Sequence, residues 1–228
     1  ASDVYKRQTF SHPDGKLVGR TPEIGGTWVA HSGADSTPVQ VTSGKAVLVH
    51  GSGSREDVNV PTGTTMGAGD KWYAGFDLVN TGGNANVCFA HFMENASNWS
   101  ARTFVATPDA GVSGDYVLGM GTSVTSVSVK STVGLTYGTT YRVVIAYDYS
   151  AQLSELWIDP VSEASPKITL PENYSTPHVA FGLRQASGNS TQRIDNLIVA
   201  TTFAEAVPEP AAAFLLLGLG SLMLIRRR

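Results

Sequence analysis

Apolar and polar residues alternate along most of the chain, in short runs that are separated by turn residues. The pattern predicts strands over 45–50, 55–60, 70–80 and 84–94, with the second of them ending at Pro61. Side chains two residues apart share a face in each run, which is the period of a half-buried strand. Turns such as GSGS and TGGN lie between the runs at spacings typical of a sandwich. The body is therefore predicted to be all-β.

The segment TYRVVIAYDYSAQLSELWIDP predicts a hairpin whose loop lies at 150–152. One face of its first strand should carry Tyr141, Val143, Ile145 and Tyr147. In its second strand, Leu156 and Ile158 should alternate with Glu155, Trp157 and Asp159.

The run RIDNLIVATTF predicts a final strand with two distinct faces. Strict alternation places Asp195, Leu197 and Val199 on one face and Ile194, Asn196 and Ile198 on the other.

Composition supports one β-rich domain and excludes some partners. The 228 residues include 24 glycines and 42% apolar residues, which is enough for a single domain with a real core. A net charge of -3, without a basic cluster in the body, argues against nucleic acid as a partner. Cys88 is the single cysteine in the sequence and stands in an apolar run, so it is interpreted as a small buried hydrophobic residue.

The order of several segments resembles a known domain class. The segments are TWVAHSGA, GSREDV, YRVVIAYD, LSELWIDP, VAFGLRQ and IDNLIVATTF. Together they resemble the concanavalin-like, laminin-G-like jelly-roll domains that bacteria carry before a PEP-CTERM tail, and the resemblance covers 9–204. It implies two packed antiparallel sheets with the first and last strands adjacent, so that Phe10 lies beside 194–200. Residues 1–8 resemble a translated adaptor and are set aside as a non-native leader.

The body lacks the carboxylate pattern of a retaining glycan hydrolase of this fold. Such an enzyme places two carboxylates about 5 Å apart. Glu155, Asp159 and Glu163 are four residues apart, and the first two would be separated by about 13 Å along an extended strand. We interpret them as a solvated strand edge and a turn at Asp-Pro, and we expect no catalytic residue. A degenerate or unrecognised glycoside hydrolase remains the alternative.

Other polar residues give weaker signals. The five histidines show no metal-ligand spacing and are interpreted as surface or hydrogen-bonded residues; they are His12, His31, His50, His91 and His178. The adjacent Arg55, Glu56 and Asp57 predict a local ion pair or a loop-anchoring hydrogen bond, and Arg184 is expected to pair with an acidic side chain. Asp195 and Asn196 are the candidate Ca²⁺ ligands, but two oxygen ligands are too few to define a site, so no cofactor is expected.

Tryptophan is the best indication of a ligand. The chain has four tryptophans, and aromatic rings on a sandwich face or loop rim can stack on sugar rings. Trp99 lies in the polar run MENASNWSAR, which predicts a loop. It is therefore the candidate glycan contact.

The C-terminal segment AVPEPAAAFLLLGLGSLMLIRRR has three distinct parts. Val207, Pro208, Glu209 and Pro210 predict extended, accessible backbone, because proline is excluded from a helix interior. The uncharged run 211–225 predicts a membrane helix; its anchoring residues are Phe214, Leu215, Leu216, Leu217, Leu219, Leu222, Leu224 and Ile225. Arg226, Arg227 and Arg228 would hold the end of the chain in the cytoplasm.

These parts, in this order, resemble the PEP-CTERM sorting signal, assigned here to 205–228. The resemblance implies recognition and cleavage by an exosortase, a membrane-embedded transpeptidase-like enzyme. The expected protein is an exported, non-enzymatic module that binds or scaffolds exopolysaccharide or a cell-surface glycan. Its precursor would be anchored in the inner membrane, and the mature form would reach the cell surface or the extracellular matrix.

Overall fold

The computed structural model describes residues 4–67, 69–174 and 176–207. Within these residues the chain forms strands and one short helix, α1 (Phe203–Ala206). The strands are β1 (Val4–Gln8), β2 (Gly15–Lys16), β3 (Val29–Ser32), β4 (Gln40–Thr42), β5 (Lys45–Val49), β6 (Asp57–Met66), β7 (Lys71–Asn80), β8 (Val87–Met93), β9 (Trp99–Ala106), β10 (Val117–Met120), β11 (Val129–Lys130), β12 (Thr140–Asp148), β13 (Leu153–Ile158), β14 (Lys167–Pro171), β15 (His178–Leu183) and β16 (Thr191–Ala200).

The strands form two antiparallel sheets that pack face to face. The nine-stranded sheet has the order β14-β13-β12-β7-β16-β5-β4-β2, with β1 also paired to β16. The seven-stranded sheet has the order β11-β10-β9-β8-β15-β6-β3. Both sheets combine consecutive strands with neighbours that are distant in sequence, such as β7 with β16 and β15 with β6, as in a jelly roll. The predicted all-β fold of two antiparallel sheets is confirmed.

One apolar core fills the space between the sheets. The seven-stranded sheet contributes Val58 and Phe181, while the nine-stranded sheet contributes Phe76 and Ile145. The rings of Phe76 and Phe181 lie with their centroids 6.1 Å apart, so aromatic residues of the two sheets meet directly. The other face of each sheet points away from this core and is called its outer face below.

The predicted hairpin is confirmed as β12 and β13, joined by a turn over 149–152. Val143, Ile145 and Tyr147 all enter the core, and Tyr141 packs against it, as strict alternation requires.

The strand predicted to stop at Pro61 is longer than expected, because β6 continues to Met66. β3 pairs β6 only over Asp57–Asn59, so the missing N–H of Pro61 breaks no ladder on that side.

The predicted faces of the final strand are wrong at its centre. Ile194, Leu197 and Val199 all enter the core, although strict alternation separates the first from the other two. The register between β16 and β7 shifts between Asp195 and Ile198, which is a bulge of one extra residue. Asn196 lies in this bulge with φ 48, and the bulge returns the following apolar residues to the inner face.

The first and last strands are neighbours, as the resemblance implied. β1 pairs β16 antiparallel, with Gln8 opposite Leu197, and Phe10 follows as a buried core residue. Residues Val4–Gln8 belong to the segment that the sequence analysis set aside, and in the structure they form this strand. The side chain of Gln8 also accepts a hydrogen bond from the indole N–H of Trp28 at 3.2 Å.

The chain leaves the sandwich through α1, which packs on the outer face of the nine-stranded sheet. Phe203 contacts the rings of Tyr73 and Trp157 there. The sorting segment from Pro208 to Arg228, with the predicted helix 211–225, lies outside the described residues. Within the described ranges no helix is long and apolar enough to span a bilayer.

Candidate functional site

Five polar and aromatic residues meet on the outer face of the seven-stranded sheet. His31 lies at the register shift of β3, Asn59 on β6, His91 on β8, Trp99 at the start of β9, and Arg184 directly after β15. These four strands and β15 are consecutive neighbours in the sheet. The sheet thus gathers residues that are up to 153 positions apart in sequence. We call this group the histidine–tryptophan cluster.

The centre of the cluster is a stack of two rings. The rings of His91 and Trp99 are nearly parallel, with 5° between their planes and 4.0 Å between their centroids. His31 meets both rings edge-on, at 5.8 Å from His91 and 5.7 Å from Trp99. The guanidinium carbon of Arg184 lies 6.0 Å from the Trp99 ring, within cation–π range. The cluster is therefore a packed arrangement with defined ring geometry.

Gly182 makes room for this stack. It pairs with Asn59 on one side and with His91 on the other, so it lies directly beneath the cluster. A Cβ atom at Gly182 would overlap Cε1 of His91 and lie 2.8 Å from its Nε2. Any larger residue here would push the imidazole away from the sheet.

Several nitrogen atoms of the cluster are buried without a hydrogen-bond partner among the described residues. They are Nδ1 and Nε2 of His91, Nε2 of His31 and Nη1 of Arg184. Nδ2 of Asn59 lies 3.4 Å from Nδ1 of His31; when it donates to that atom, the imidazole proton is on Nε2. Buried polar atoms are normally paired, so four unpaired nitrogens in one cluster call for an explanation.

Burial keeps the histidines of the cluster neutral. Burial first, and then the charge of Arg184, lower the pKa of His31 to about 4. Burial also lowers the pKa of His91 well below its ordinary value, with contributions from His31 and Arg102. Each neutral imidazole therefore offers one N–H donor and one acceptor nitrogen at pH 7.

Asp57 is the acidic neighbour of the cluster. Its Oδ2 lies 3.8 Å from Nε of Arg184, which confirms the predicted pairing of this arginine with an acidic side chain. Both carboxylate oxygens already accept other hydrogen bonds, from Ser32 Oγ at 2.7 Å and from the backbone N–H of Gln185 at 2.8 Å. Burial raises the pKa of Asp57, and these two hydrogen bonds oppose that shift.

A groove of about 280 Å³ adjoins the cluster on the same outer face. Asn59 belongs to both, and the groove is also lined by Met93 and Ala180, which pack against Trp99. Val124, in the loop 121–128, packs against the same three residues. The volume is close to the lower limit for small-ligand pockets.

The structure revises the expected environment of Trp99. The predicted loop ends one residue earlier, and Trp99 begins β9 with only 6% of its surface exposed. Its indole N–H donates to the carbonyl of Asn95 at 3.0 Å. The other three tryptophans, Trp28, Trp72 and Trp157, are buried too. Trp99 differs from them because it lies beside unpaired polar atoms and an open groove.

The outer face of the nine-stranded sheet carries a larger cavity, of about 880 Å³. Arg142 crosses it and donates to Asp77 Oδ1 at 3.1 Å, to the carbonyl of Asn196 at 2.9 Å and to that of Ala206 at 2.6 Å. Asp159 also lines the cavity. Most of the polar groups here are bonded to one another, and Arg142 fixes the end of α1.

The candidate Ca²⁺ ligands lie beside this cavity and are bound to protein groups. Asp195 forms an ion pair with Lys45 at 3.1 Å, while Nδ2 of Asn196 donates to Asp77 Oδ2 at 2.7 Å. Across the residues that the structure describes, no group of three or more His, Cys, Asp or Glu is placed to hold a metal ion. The expectation that no cofactor is bound, with Asp195 and Asn196 as the candidate Ca²⁺ ligands, stays a prediction.

The three carboxylates considered for catalysis occupy two places. Glu155 is buried and forms ion pairs with Lys71 and Lys167, so its interpretation as a solvated residue is wrong. Glu163 accepts from the same Lys71 at 2.8 Å and from Tyr73 OH at 2.6 Å. These lysines also lie over the ring of Trp157, which makes the group a packed ionic network.

Asp159 is separate from that network. Its Oδ1 accepts from the backbone N–H of Arg142 at 2.7 Å, and its φ is 46. It therefore forms the predicted turn before Pro160.

Two further predictions are confirmed. Glu56 anchors the loop before β4, because its carboxylate accepts from the backbone N–H groups of Asp35 at 3.0 Å and Val39 at 3.2 Å. Cys88 is fully buried, and burial raises the pKa of its thiol to about 12. A thiol with this pKa is a poor nucleophile at neutral pH.

Sequence reasoning missed the partners of Trp99. His31, Asn59 and His91 lie on three different strands, so their spacing in the sequence carries no signal. One sequence feature could have identified His91, a polar residue inside the apolar run VCFAHFM.

No protein-family model and no curated protein matches the chain. Among solved structures, the Emp47p carbohydrate recognition domain is similar over 88% of this chain and 99% of that chain, with 9% identity and a TM-score of 0.50. A peanut lectin with a bound 9mer peptide is similar over 89% and 98%, with 9% identity and a TM-score of 0.50. A sialidase is similar over 78% of this chain but only 17% of its own, with 14% identity and a TM-score of 0.51. At these identities the similarity shows the fold alone, a jelly roll of the concanavalin-like lectin type.

Proposed function

We propose that the domain is a non-enzymatic module that binds or scaffolds a glycan through the outer face of its seven-stranded sheet. The observation that carries this proposal is the set of unpaired nitrogen atoms around the His91–Trp99 stack, next to an open groove. Sugars combine apolar ring faces with many hydroxyl groups, and they bind where aromatic rings adjoin hydrogen-bonding side chains. The lectin-type fold is compatible with this role but does not specify it.

The groove would accommodate the first sugar residue. Met93 and Ala180 give it an apolar wall, and Asn59 supplies an amide at the boundary with the cluster. A ring lying in the groove would contact this amide, and a substituent pointing toward Arg184 would reach the buried, unpaired nitrogens once the side chains over them move aside. Trp99 acts in this arrangement as the support of the cluster, because its ring stacks on His91 and it packs with Met93 and Ala180.

The proposal can be tested by titrating the full chain, in detergent, against an array of neutral and acidic oligosaccharides, with and without Ca²⁺. We expect retention of at least one class without release of reducing ends. Asn59→Ala should weaken binding by about 2- to 10-fold, the value of one neutral hydrogen bond. Asn84→Ala is the matched control, because its amide donates to the carbonyl of Asp115 far from the cluster.

Three results would contradict the proposal. Absence of binding to every glycan class would exclude a glycan-binding function for the domain. An equal loss of affinity in Asn59→Ala and Asn84→Ala would exclude this location. Turnover of a bound oligosaccharide would favour the glycoside hydrolase alternative instead.

We further propose that the protein is exported and sorted through Val207, Pro208, Glu209 and Pro210 by an exosortase. The support is the order of the motif, the apolar run and the three terminal arginines. Val207 directly follows α1, so the motif begins where the described fold ends. The precursor would reside in the inner membrane, and the mature form at the cell surface or in the matrix.

Intact mass and membrane fractionation test the sorting proposal. In cells with the matching exosortase, the mature chain should lack Arg226–Arg228 and leave the membrane fraction. Replacing Pro208, Glu209 and Pro210 with alanine should keep the longer form in the membrane. A wild-type chain that retains the arginines with and without the enzyme would make the tail an ordinary anchor.

A further inference from the structure

The histidine–tryptophan cluster is rich in hydrogen-bond donors and poor in free acceptors. Arg184 carries only donors, and its Nη1 is unpaired. His31 presents an N–H at Nε2 when its Nδ1 accepts from Asn59, and the neutral imidazole of His91 adds one donor and one free acceptor nitrogen. The oxygens of Asp57 are already occupied by Ser32 and Gln185.

The charges around the cluster leave one arginine with an unpaired donor. Arg184 lies at its edge with 19% of its side chain exposed, and the carboxylate with which it is paired, that of Asp57, is 3.8 Å away, beyond hydrogen-bond range. Arg102 is paired with Glu172 at 3.5 Å, and Glu94 lines the adjoining groove, where its Oε2 accepts from Asn98 at 2.7 Å. The unpaired N–H groups of Arg184 and His31 suit a ligand that has negative charge and accepts hydrogen bonds without donating them.

We propose that the glycan recognised at this site is acidic, with an anionic group on one sugar that binds Arg184 and accepts from His31. This inference rests on the proposed glycan-binding function. A carboxylate and a sulfate ester share the required chemistry, because both are negatively charged and act as acceptors only. A neutral sugar hydroxyl would leave Asp57, at 3.8 Å, as the charged partner of the arginine.

Calorimetric titration of the full chain tests the inference with three probes of matched length. They are an oligogalacturonate, the same oligosaccharide with its carboxylates reduced to primary alcohols, and a sulfated galacto-oligosaccharide. We expect at least one acidic probe to bind about 10-fold or more tightly than the reduced one, since hydrogen bonds to charged groups carry this much discrimination.

Arg184→Gln should remove the preference for the acidic probe. Arg7→Gln is the matched control: it removes the same charge from an exposed arginine on the cavity of the opposite sheet. Should Arg184→Gln fail to fold, Arg184→Lys can replace it, because this variant keeps the positive charge and removes the planar guanidinium group. That variant should retain only part of the preference, because one ammonium replaces a bidentate donor.

The outcomes separate this inference from the function on which it rests. Equal binding of acidic and reduced probes overturns the acidic preference and leaves glycan binding in place. Binding of none of these probes, nor of any other glycan class, overturns both. An acidic preference that survives in Arg184→Gln, or is lost equally in Arg7→Gln, places the anion elsewhere and overturns the inference. A preference for the uronate or for the sulfate ester supports it and identifies the group.

Discussion

The outer faces of the two sheets use similar residues in opposite ways. On the nine-stranded sheet, Arg142 donates to Asp77 and to the carbonyls of Asn196 and Ala206. On the seven-stranded sheet, Arg184 has an unpaired Nη1, and Asp57 is 3.8 Å from its Nε. The first arginine closes a network that holds α1 in place. The second has an unpaired N–H donor, at Nη1, close to a groove.

This difference separates a structural arginine from one available to a ligand. A buried donor that bonds to backbone carbonyls stabilises the fold, and removing it leaves those carbonyls unpaired. A buried donor without a partner costs stability, so the surrounding packing must hold it in place. At the larger cavity Arg142 has one unpaired nitrogen, Nε, but both of its Nη atoms are bonded, whereas Nη1 of Arg184 is unpaired close to the smaller groove. Cavity volume alone would therefore select the wrong face for polar recognition.

Acid should have the largest effect, through several buried histidines. Burial holds the pKa of His31 at about 4 in the folded state, against an ordinary value of 6.5. Between these values the unfolded chain binds more protons, so the free energy of unfolding falls as the pH falls from 6.5 toward 4. The expected loss is on the order of 3 kcal/mol from His31, and His50, His91 and His178, whose pKa values burial also lowers, add to it. Urea unfolding at pH 7 and pH 5 measures its onset.

His31→Gln isolates the part that His31 contributes, because it should make this dependence shallower and leave the contributions of His50, His91 and His178 in place. The nine-stranded face should respond only at lower pH: the pKa of Glu163 is lowered below 4.5, so its contribution is lost as the pH falls below that value. Asp57 acts in the opposite sense, since its raised pKa makes the folded state bind more protons just above pH 3.8. A loss between pH 7 and 5 that is unchanged in His31→Gln would contradict the assignment.

Arg142→Met should cost about 2–3 kcal/mol, while Arg184→Met should cost less than about 1 kcal/mol. The first substitution leaves Asp77 and two carbonyls without their donor; the second removes a guanidinium with an unpaired Nη1. Urea midpoints of both full-length variants at pH 7 give the comparison. Equal costs would mean that Arg184 is as much a part of the fold as Arg142.

The sequence predicted the inner faces better than the outer ones. Alternation placed Val143, Ile145 and Tyr147 correctly, because the core requires every second residue to be apolar. It failed at Asn196, since one residue in a left-handed conformation shifts the alternation and no apolar pattern records that shift. Which residues around Asn196 face the core therefore follows from the register of β16 against β7, and not from the apolar pattern.

The candidate site was predictable only in part, through Trp99. Its partners come from strands that are neighbours in the sheet but far apart in the chain, so only the strand order brings them together. The expected loop environment of Trp99 was wrong because the turn at 94–98 closes early, with Glu94 donating its backbone N–H to the carbonyl of Asn98 at 3.0 Å. An outer face built across five strands has no local sequence signature.

Two glycines allow a further comparison of the faces. A Cβ at Gly75 would overlap the backbone carbonyl of Ala206, whereas one at Gly182 would overlap the ring of His91. A side chain can rotate away more easily than a backbone can move. We therefore expect Gly75→Ala to cost about 2–3 kcal/mol and Gly182→Ala about 1–2 kcal/mol in thermal or urea unfolding.

The two glycine variants should also differ in binding. Gly182→Ala should weaken glycan binding, because the displaced His91 no longer stacks on Trp99, while Gly75→Ala should leave affinity unchanged in the folded fraction. Near-ultraviolet circular dichroism reports the loss of the stack. Unaltered binding by a folded Gly182→Ala variant would mean that the stack does not support the site.

The smallest expected effect concerns the loop 121–128, which covers part of the seven-stranded face. Ser123 bonds within the loop, to Thr125 at 3.2 Å and to Ser126 at 2.9 Å, whereas Val124 packs its side chain on Trp99 and its neighbours. Val124→Ala removes two methyl groups from a partly buried position, so the free energy of unfolding should fall by less than about 1 kcal/mol.

The same substitution should speed both association and dissociation of a bound oligosaccharide, because the loop would lift from the sheet at a lower cost. Stopped-flow measurement of Trp99 fluorescence follows both rates, although the other tryptophans contribute a constant background. Val161→Ala is the matched control: this valine is 93% exposed at the cavity of the opposite sheet, and its loss should change neither rate. If Val124→Ala leaves both rates at the wild-type values, the ligand reaches Asn59 directly through the groove and the loop is a fixed part of the wall.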